Sequence, residues 1–423
     1  MGVDTGVVLG REYRPRFVDK QVEEALAAHG AVVLEGPRGC GKTMTGVAHA
    51  ASAVFMDDPV TVTLADIDAD YPLIGERPRL IDEWQLRPEV WNQVRRQVDR
   101  AEGFGNYILT GSAIPSDDIT RHSGAARFLR IRQRTLTWAE KGKSQPRVAL
   151  NELFSGADVP TDPTQFSLDD NLEALLTSGF PAHISLSPEQ SRGPLRAYLS
   201  ETARTDVYRL HDFRHDPIVL DQLLASLARV TASEVTQATI RKDLKSVAPS
   251  ISVESVAMLV DTLERIFVIE SVPAWAPRLR SKARLRTSRK YHLADASLAA
   301  AALGATAESL RRDPETLGFL FESAVVHDLS VMAEALGGRV YHYRDSNGYE
   351  IDAVIVLDDA RWGAVEVKLG YGQVDEGVRR LRKALDQIDA GTPPSFATVI
   401  TATGMSYTTE DRICTFPFLA LGL

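Results

Sequence analysis

The chain has very little sulfur chemistry available to it. Of 423 residues only two are cysteines, Cys40 and Cys414, which excludes a disulfide framework and a cysteine-rich zinc site and predicts a reducing, cytoplasmic setting. The opening stretch "MGVDTGVVLGREYRPRF" carries an acid and several arginines but no apolar run of signal-peptide length. No segment reads as the roughly 20 apolar residues that cross a bilayer, so no membrane partner is expected. Neither sign of charge dominates, with 48 Lys and Arg against 57 Asp and Glu. A chain of net charge -9 is no polycation, and any nucleic-acid contact has to come from a local basic patch. Internal repeats, low-complexity tracts and a guanine-reading N-K-x-D stretch are missing as well.

What is present starts with "VVLEGPRGCGKTMTG" at Val32. Gly36, Gly41, Lys42 and Thr43 have the G-x-x-x-x-G-K-[ST] spacing after a short apolar run, the arrangement in which backbone N–H groups and a helix N-terminus converge on phosphate oxygens. The run Gly36, Pro37, Arg38, Gly39, Cys40, Gly41, Lys42, Thr43 and Met44 is therefore the candidate nucleotide cradle. Lys42 is placed to reach the β and γ phosphates and Thr43 to present a hydroxyl to Mg²⁺. Downstream, "RLIDEW" ends an apolar strand on Asp82, a second candidate metal ligand, followed by Glu83, a candidate base for the attacking water. "YILTGSA" brings Thr110 and Ser112 to a strand end, where they could sense the γ-phosphate or merely close a turn. Five arginines follow at Arg121, Arg127, Arg130, Arg132 and Arg134. Arg127 is the preferred arginine finger among them, with surface ion pairing as the alternative.

Strands alternating with helices from Ala31 to about Ser112 predict an α/β P-loop NTPase domain, a parallel sheet with helices on both faces, over 1–150. Residues 151–277 read as mostly helical, and the helix-then-strand order of "SVESVAMLVDTLERIFVIE" suits a winged helix. A second α/β domain is expected over 278–423, with a hairpin turning at Asn347-Gly348.

In that last domain residues two apart share a strand face, so Glu350 and Asp352 project together, as do Glu366 and Lys368. On the preceding helix Glu322 shares a face with Val325, Val326 and Leu329, an odd place for an exposed carboxylate. Between Arg278 and Lys290, seven of thirteen residues are basic and none is acidic. Arg278, Arg280, Lys282, Arg284 and Arg286 alternate, so an extended chain would set all five against a phosphate backbone; a solvated linker is the other reading.

Two resemblances accompany these residues. "RPRLIDEWQLRPEVWNQVRRQVD", "NYILTGSA", "SGAAR" and "RTLTWAE", with later stretches such as "FLFESAVVHDL", resemble a prokaryotic family of ATPases in which an AAA-type P-loop domain is joined to a C-terminal domain of uncharacterised function. The family's Gly-Arg after the third strand is Ala126-Arg127 here. The resemblance implies ATP binding and hydrolysis and a homo-oligomer, with a ring as one form. The order of a helical Glu, then D, then E-x-K, is similar to the PD-(D/E)xK nuclease core, a restriction-endonuclease-like fold. It implies Asp352 and Glu366 as ligands of Mg²⁺ or Mn²⁺, Lys368 as the catalytic cation and Glu322 as a supporting acid. A buried ion-pair cluster, or a nuclease fold without activity, fits the same letters. The functional expectation is an ATPase acting on DNA; a nucleotide-dependent switch or protein remodeller is the alternative, and a small-molecule kinase a third.

Overall fold

The computed structural model describes residues 6, 8, 10–113, 124–207, 216–277, 289–345 and 347–423. It divides into two compact units, one running to Thr135 and including Arg265–Val268, the other containing Leu136–Glu264 and Ile269–Leu423.

In the first unit five parallel strands, β1 Ala31–Glu35, β2 Ser52–Phe55, β3 Arg79–Asp82, β4 Tyr107–Gly111 and β5 Phe128–Arg132, lie in the order β2-β3-β4-β1-β5. This α/β arrangement is consistent with a P-loop NTPase-like fold. β1 reads "AVVLE" without polar alternation because both its faces are covered. Ala31 and Val33 pack with Val54, Ile81, Trp91 and Leu109 on one side, whereas Val32 and Leu34 pack with Val22, Val47, Leu80 and Ile131 on the other. Burying the chain between β4 and β5 fixes the point where it leaves the sheet, and the glycine loop begins there.

The second unit holds the short strand β6 Val148–Ala149, then β7 Asp162–Phe166, β8 Ile269–Pro273, β9 Arg289–Leu293, β10 Gly338–Arg344, β11 Glu350–Leu357, β12 Trp362–Lys368, β13 Phe396–Thr401, β14 Gly404–Thr408, β15 Cys414–Pro417 and the short β16 Leu421–Gly422. Seven of these form one sheet in the order β10-β11-β12-β13-β15-β14-β7. The helix Pro314–Ala335, three antiparallel strands, the helix Val374–Leu385 and a strand parallel to β12 follow one another along the chain. The hairpin expected at Asn347-Gly348 is there: Gly348 has φ 85, and the Asp345 carboxylate accepts from the N–H groups of Asn347 and Tyr349.

Helices Pro217–Arg229, Gln237–Leu244 and Val253–Arg265 precede β8, and β8 pairs antiparallel with β9, a winged-helix-like order. That pairing crosses the boundary expected at 277/278, and β7, from the expected middle domain, joins the large sheet through β14. Contacts therefore give two units rather than three, with the first boundary at 135/136 instead of 150/151. Sequence order misled here because the joining strand pairs are far apart along the chain. The 22-residue helix Pro314–Ala335 is also long and apolar enough to span a bilayer, contrary to expectation; 72% of its apolar window is buried within the fold, which accounts for its composition.

Candidate functional site

The loop after β1 is shaped by glycines at the positions that need them. Gly39 and Gly41 have φ 77 and 103, and a Cβ at Gly36 would lie 2.0 Å from the carbonyl oxygen of Gln133. Any side chain at Gly36 would push the loop off the backbone that follows β5. Two further ties hold the loop there. The Cys40 thiol donates to Gln133 O at 3.3 Å, and the Arg16 guanidinium donates to the carbonyls of Cys40, Arg134 and Thr135. Cys40 is fully buried, a structural role its place in the motif did not disclose.

Lys42 opens the helix Lys42–His49, and its ammonium folds back to donate to Gly36 O and Pro37 O, each at 2.9 Å. Both acceptors are neutral, so the lysine's charge is not neutralised by a carboxylate. Asp82 ends β3 and is 4% exposed. Its carboxylate accepts from the hydroxyls of Thr110 and Thr43. Burial pushes its acid strength down and its pKa up to about 6, the two hydroxyls oppose the shift, and the negative Glu83 and Asp57 add to it.

Glu83 has φ 52, in the left-handed region that costs a non-glycine residue energy, and its N–H donates to Thr110 Oγ1 at 3.2 Å. Its carboxylate accepts from the Ser112 hydroxyl at 3.3 Å and from the Gln85 amide. Gln85 was not singled out from the sequence, because glutamine two residues past an acid pair carries no spacing signal. Thus Thr43, Asp82, Glu83, Thr110 and Ser112 are linked by hydrogen bonds, Lys42 precedes Thr43 and bonds back to the loop, Arg38 is exposed and Met44 half-buried. Hard oxygen donors from Thr43 and Asp82 suit Mg²⁺, which is held with few protein ligands when a nucleotide supplies the rest.

The arginines separate. Arg127 Nε donates to Asp99 Oδ1 at 2.6 Å, on the helix Glu89–Arg100, so the preferred finger is held by its own chain. Arg130 pairs with Glu35 at the end of β1 and lies over the Trp91 ring at 4.8 Å. Arg121 lies outside the described residues. Ala126, where the resembling family has glycine, sits at φ 64, so alanine occupies a turn that favours glycine.

In the second unit Asp352, Glu366, Lys368 and Glu322 come together as expected. Backbone pairing of β11 and β12 runs to Ala353↔Val365, and one step beyond it the Asp352 carboxylate accepts the Val367 N–H at 2.7 Å. Lys368 Nζ donates to Glu366 Oε1 at 2.7 Å. Glu350 does not join them: it pairs with Arg344 at the exposed strand edge, 3.0 Å away. An unexpected member is Lys290 of β9, whose ammonium lies 2.7 Å from Glu322 Oε1 and 3.9 Å from Asp352 Oδ1.

Burial and the Asp352 charge raise Glu322 to about 8 and Glu366 to about 7 against the pull of their lysines. Burial lowers Lys290, but Glu322 and Asp352 outweigh it and hold it above the ordinary lysine value. Among the described residues no group of three or more His, Cys, Asp or Glu side chains is placed to hold a metal ion. The divalent ion expected on Asp352 and Glu366 would have to compete there with the ammonium groups of Lys290 and Lys368, which these carboxylates already face.

The nucleic-acid candidates Arg278, Arg280, Lys282, Arg284 and Arg286 lie outside the described residues. The helix Val253–Arg265 of the winged-helix-like segment has Glu254 and Asp261 exposed and Glu264 half-buried, and Glu234, Asp261 and Glu264 line a cavity of about 650 Å³ beside Arg289 and Tyr291. Acids there do not suit phosphate.

Comparison with known proteins adds the following. A family described as a domain of unknown function (DUF8612) matches residues 168–309, and another domain of unknown function (DUF4143) matches 317–421. No curated protein matches the chain. Among solved structures, the Walker-type ATPase PABY2304 of Pyrococcus abyssi is similar, at 13% identity and a TM-score of 0.39, covering 69% of this chain and 96% of that one.

Proposed function

We propose that the chain binds and hydrolyses ATP with Mg²⁺, and that its C-terminal half binds nucleic acid, DNA being the expected form. The observation that carries the first part is the glycine loop shaped at Gly36, Gly39 and Gly41, with buried Lys42 and Asp82 and half-buried Thr43 and Glu83 beside it. In this reading Lys42 exchanges two loop carbonyls for phosphate oxygens and offsets the charge that develops in transfer. Thr43 and Asp82 hold Mg²⁺, which neutralises phosphate charge when bound. Glu83, gripped by Ser112 and Gln85, orients water and accepts its proton, and Thr110 couples Asp82 to the Glu83 backbone. Adenine is assigned because no guanine-reading stretch is present. Assembly into a homo-oligomer, with Arg127 reaching a neighbour's nucleotide, belongs to the same reading and requires the Asp99 contact to be exchanged.

Glu83→Gln should keep nucleotide binding and lose about 10²–10⁴ in turnover, the usual contribution of a positioned base; hydrolysis at the wild-type rate would remove Glu83 from the mechanism. The nucleic-acid part is supported by the alternating basic run Arg278–Arg286 and by the helix, three-strand, helix, strand order of the C-terminal unit. Neutralising the five basic residues should weaken DNA binding and flatten its salt dependence. The second reading, a nucleotide-dependent switch that recognises protein, is favoured by the acids exposed on Val253–Arg265, and DNA binding indifferent to the five substitutions would select it.

A further inference from the structure

We propose that Lys290 is the resident cation of the C-terminal carboxylate cluster: its ammonium supplies the positive charge that the nuclease-like reading assigns to a divalent ion, so this unit does not cut nucleic acid. The inference rests on that reading of the unit and changes its chemistry from cleavage to recognition.

The cluster draws on four separate elements. Glu322 comes from the helix Pro314–Ala335, Asp352 from β11, Glu366 and Lys368 from β12, and Lys290 from β9. Each lysine is committed: Lys368 to Glu366 at 2.7 Å, Lys290 to Glu322 at 2.7 Å with Asp352 at 3.9 Å. The second oxygen of Asp352 takes the Val367 N–H. With all three carboxylates ionised, two ammoniums leave one excess negative charge, which a divalent ion would convert to one excess positive charge in a buried setting; a proton kept on Glu322 makes the excess with the ion larger still. To admit the ion, Lys290 would have to withdraw. Its backbone is pinned by pairing with Val272 on one side and by a bridge to Glu234 on the other, and the residue is 9% exposed. A lysine so placed serves as a permanent counter-ion rather than a movable one.

The test is a titration of the nucleotide-free, full-length chain with Mn²⁺, with free ion counted by electron paramagnetic resonance. Wild type and Asp352→Asn should give superimposable curves. Lys290→Met should gain one bound Mn²⁺ that Lys290→Met/Asp352→Asn loses again. Because removing Lys290 alone strands buried acids, Lys290→Met/Glu322→Gln, which deletes one charge of each sign, serves as a second variant and should gain the ion too. A wild-type Mn²⁺ site that Asp352→Asn abolishes would overturn the proposal, as would failure of a folded Lys290-deleted variant to gain one. Absence of DNA binding would instead sink the nucleic-acid reading and leave the ion result standing, so the two failures are told apart.

Discussion

The nucleotide neighbourhood and the C-terminal cluster use the same ingredients, acids at strand ends beside lysines, and differ in what the lysines touch. Lys42 donates to Gly36 O and Pro37 O, neutral acceptors that give up a hydrogen bond without exposing a bare charge. Lys290 and Lys368 are hydrogen-bonded to carboxylates. In the first unit the buried Lys42 is hydrogen-bonded to carbonyls and the buried Asp82 to hydroxyls, so an anion and a cation arriving together would satisfy both. In the C-terminal cluster both ammoniums, those of Lys290 and Lys368, are already paired with carboxylates. Residue types alone do not separate the two arrangements; the pairing does.

The comparison breaks most visibly at Lys290. Lys290→Ala should destabilise the protein by about 3–5 kcal/mol, the cost of breaking a buried pair, and the loss should grow with pH. Glu322 stands at about 8 in the fold against an ordinary 4.5. The folded state thus keeps a proton that the unfolded chain releases, and stability drains as pH rises from 4.5 through 8; without Lys290 that window widens upward. Denaturant melts at pH 5 and pH 8.5 check it, and equal losses would separate Glu322 from the effect. Lys42→Ala, which strands no carboxylate, should leave stability nearly unchanged in the same melts.

The next contrast concerns Asp82. With a value near 6, it is protonated below that pH and has to release its proton to hold Mg²⁺. Nucleotide-dependent Mg²⁺ affinity should therefore fall by up to about tenfold per pH unit below 6, and Asp82→Asn should remove that slope while leaving the part that belongs to ATP itself. A slope unchanged in the variant would move the metal elsewhere. The smallest effect is expected at Ala126→Gly, which restores the residue that φ 64 favours. Relief of left-handed strain, partly offset by added freedom in the unfolded chain, should raise stability by about 0.5–1 kcal/mol, visible as a small rise in Tm.

Much of the first unit was legible because its signals are local. The Gly36-to-Thr43 spacing and the apolar strands ending at Asp82 and Thr110 each lie within a few residues, and the sheet only had to bring them side by side. The second unit was legible in its parts and opaque in its joins. Asp352, Glu366, Lys368 and Glu322 followed from strand and helix periodicity, but Lys290 only closes a run of basic residues and was given no role of its own. Only the long-range pairing of β9 with β8 turns it inward, and no local pattern encodes that. Glu350 shows the converse, an acid with the right parity that the sheet edge leaves beside Arg344. Arg127 likewise kept its place in the motif while Asp99, distant in sequence, took its charge.

The Arg16 guanidinium has a mechanical consequence. By gripping the carbonyl of Cys40 together with those of Arg134 and Thr135, it works as a rivet through two layers of main chain. One layer is the glycine loop; the other is the stretch of backbone that follows β5. A tug on the first layer would be delivered to the second through this side chain and through the reciprocal contacts of Cys40 and Gln133.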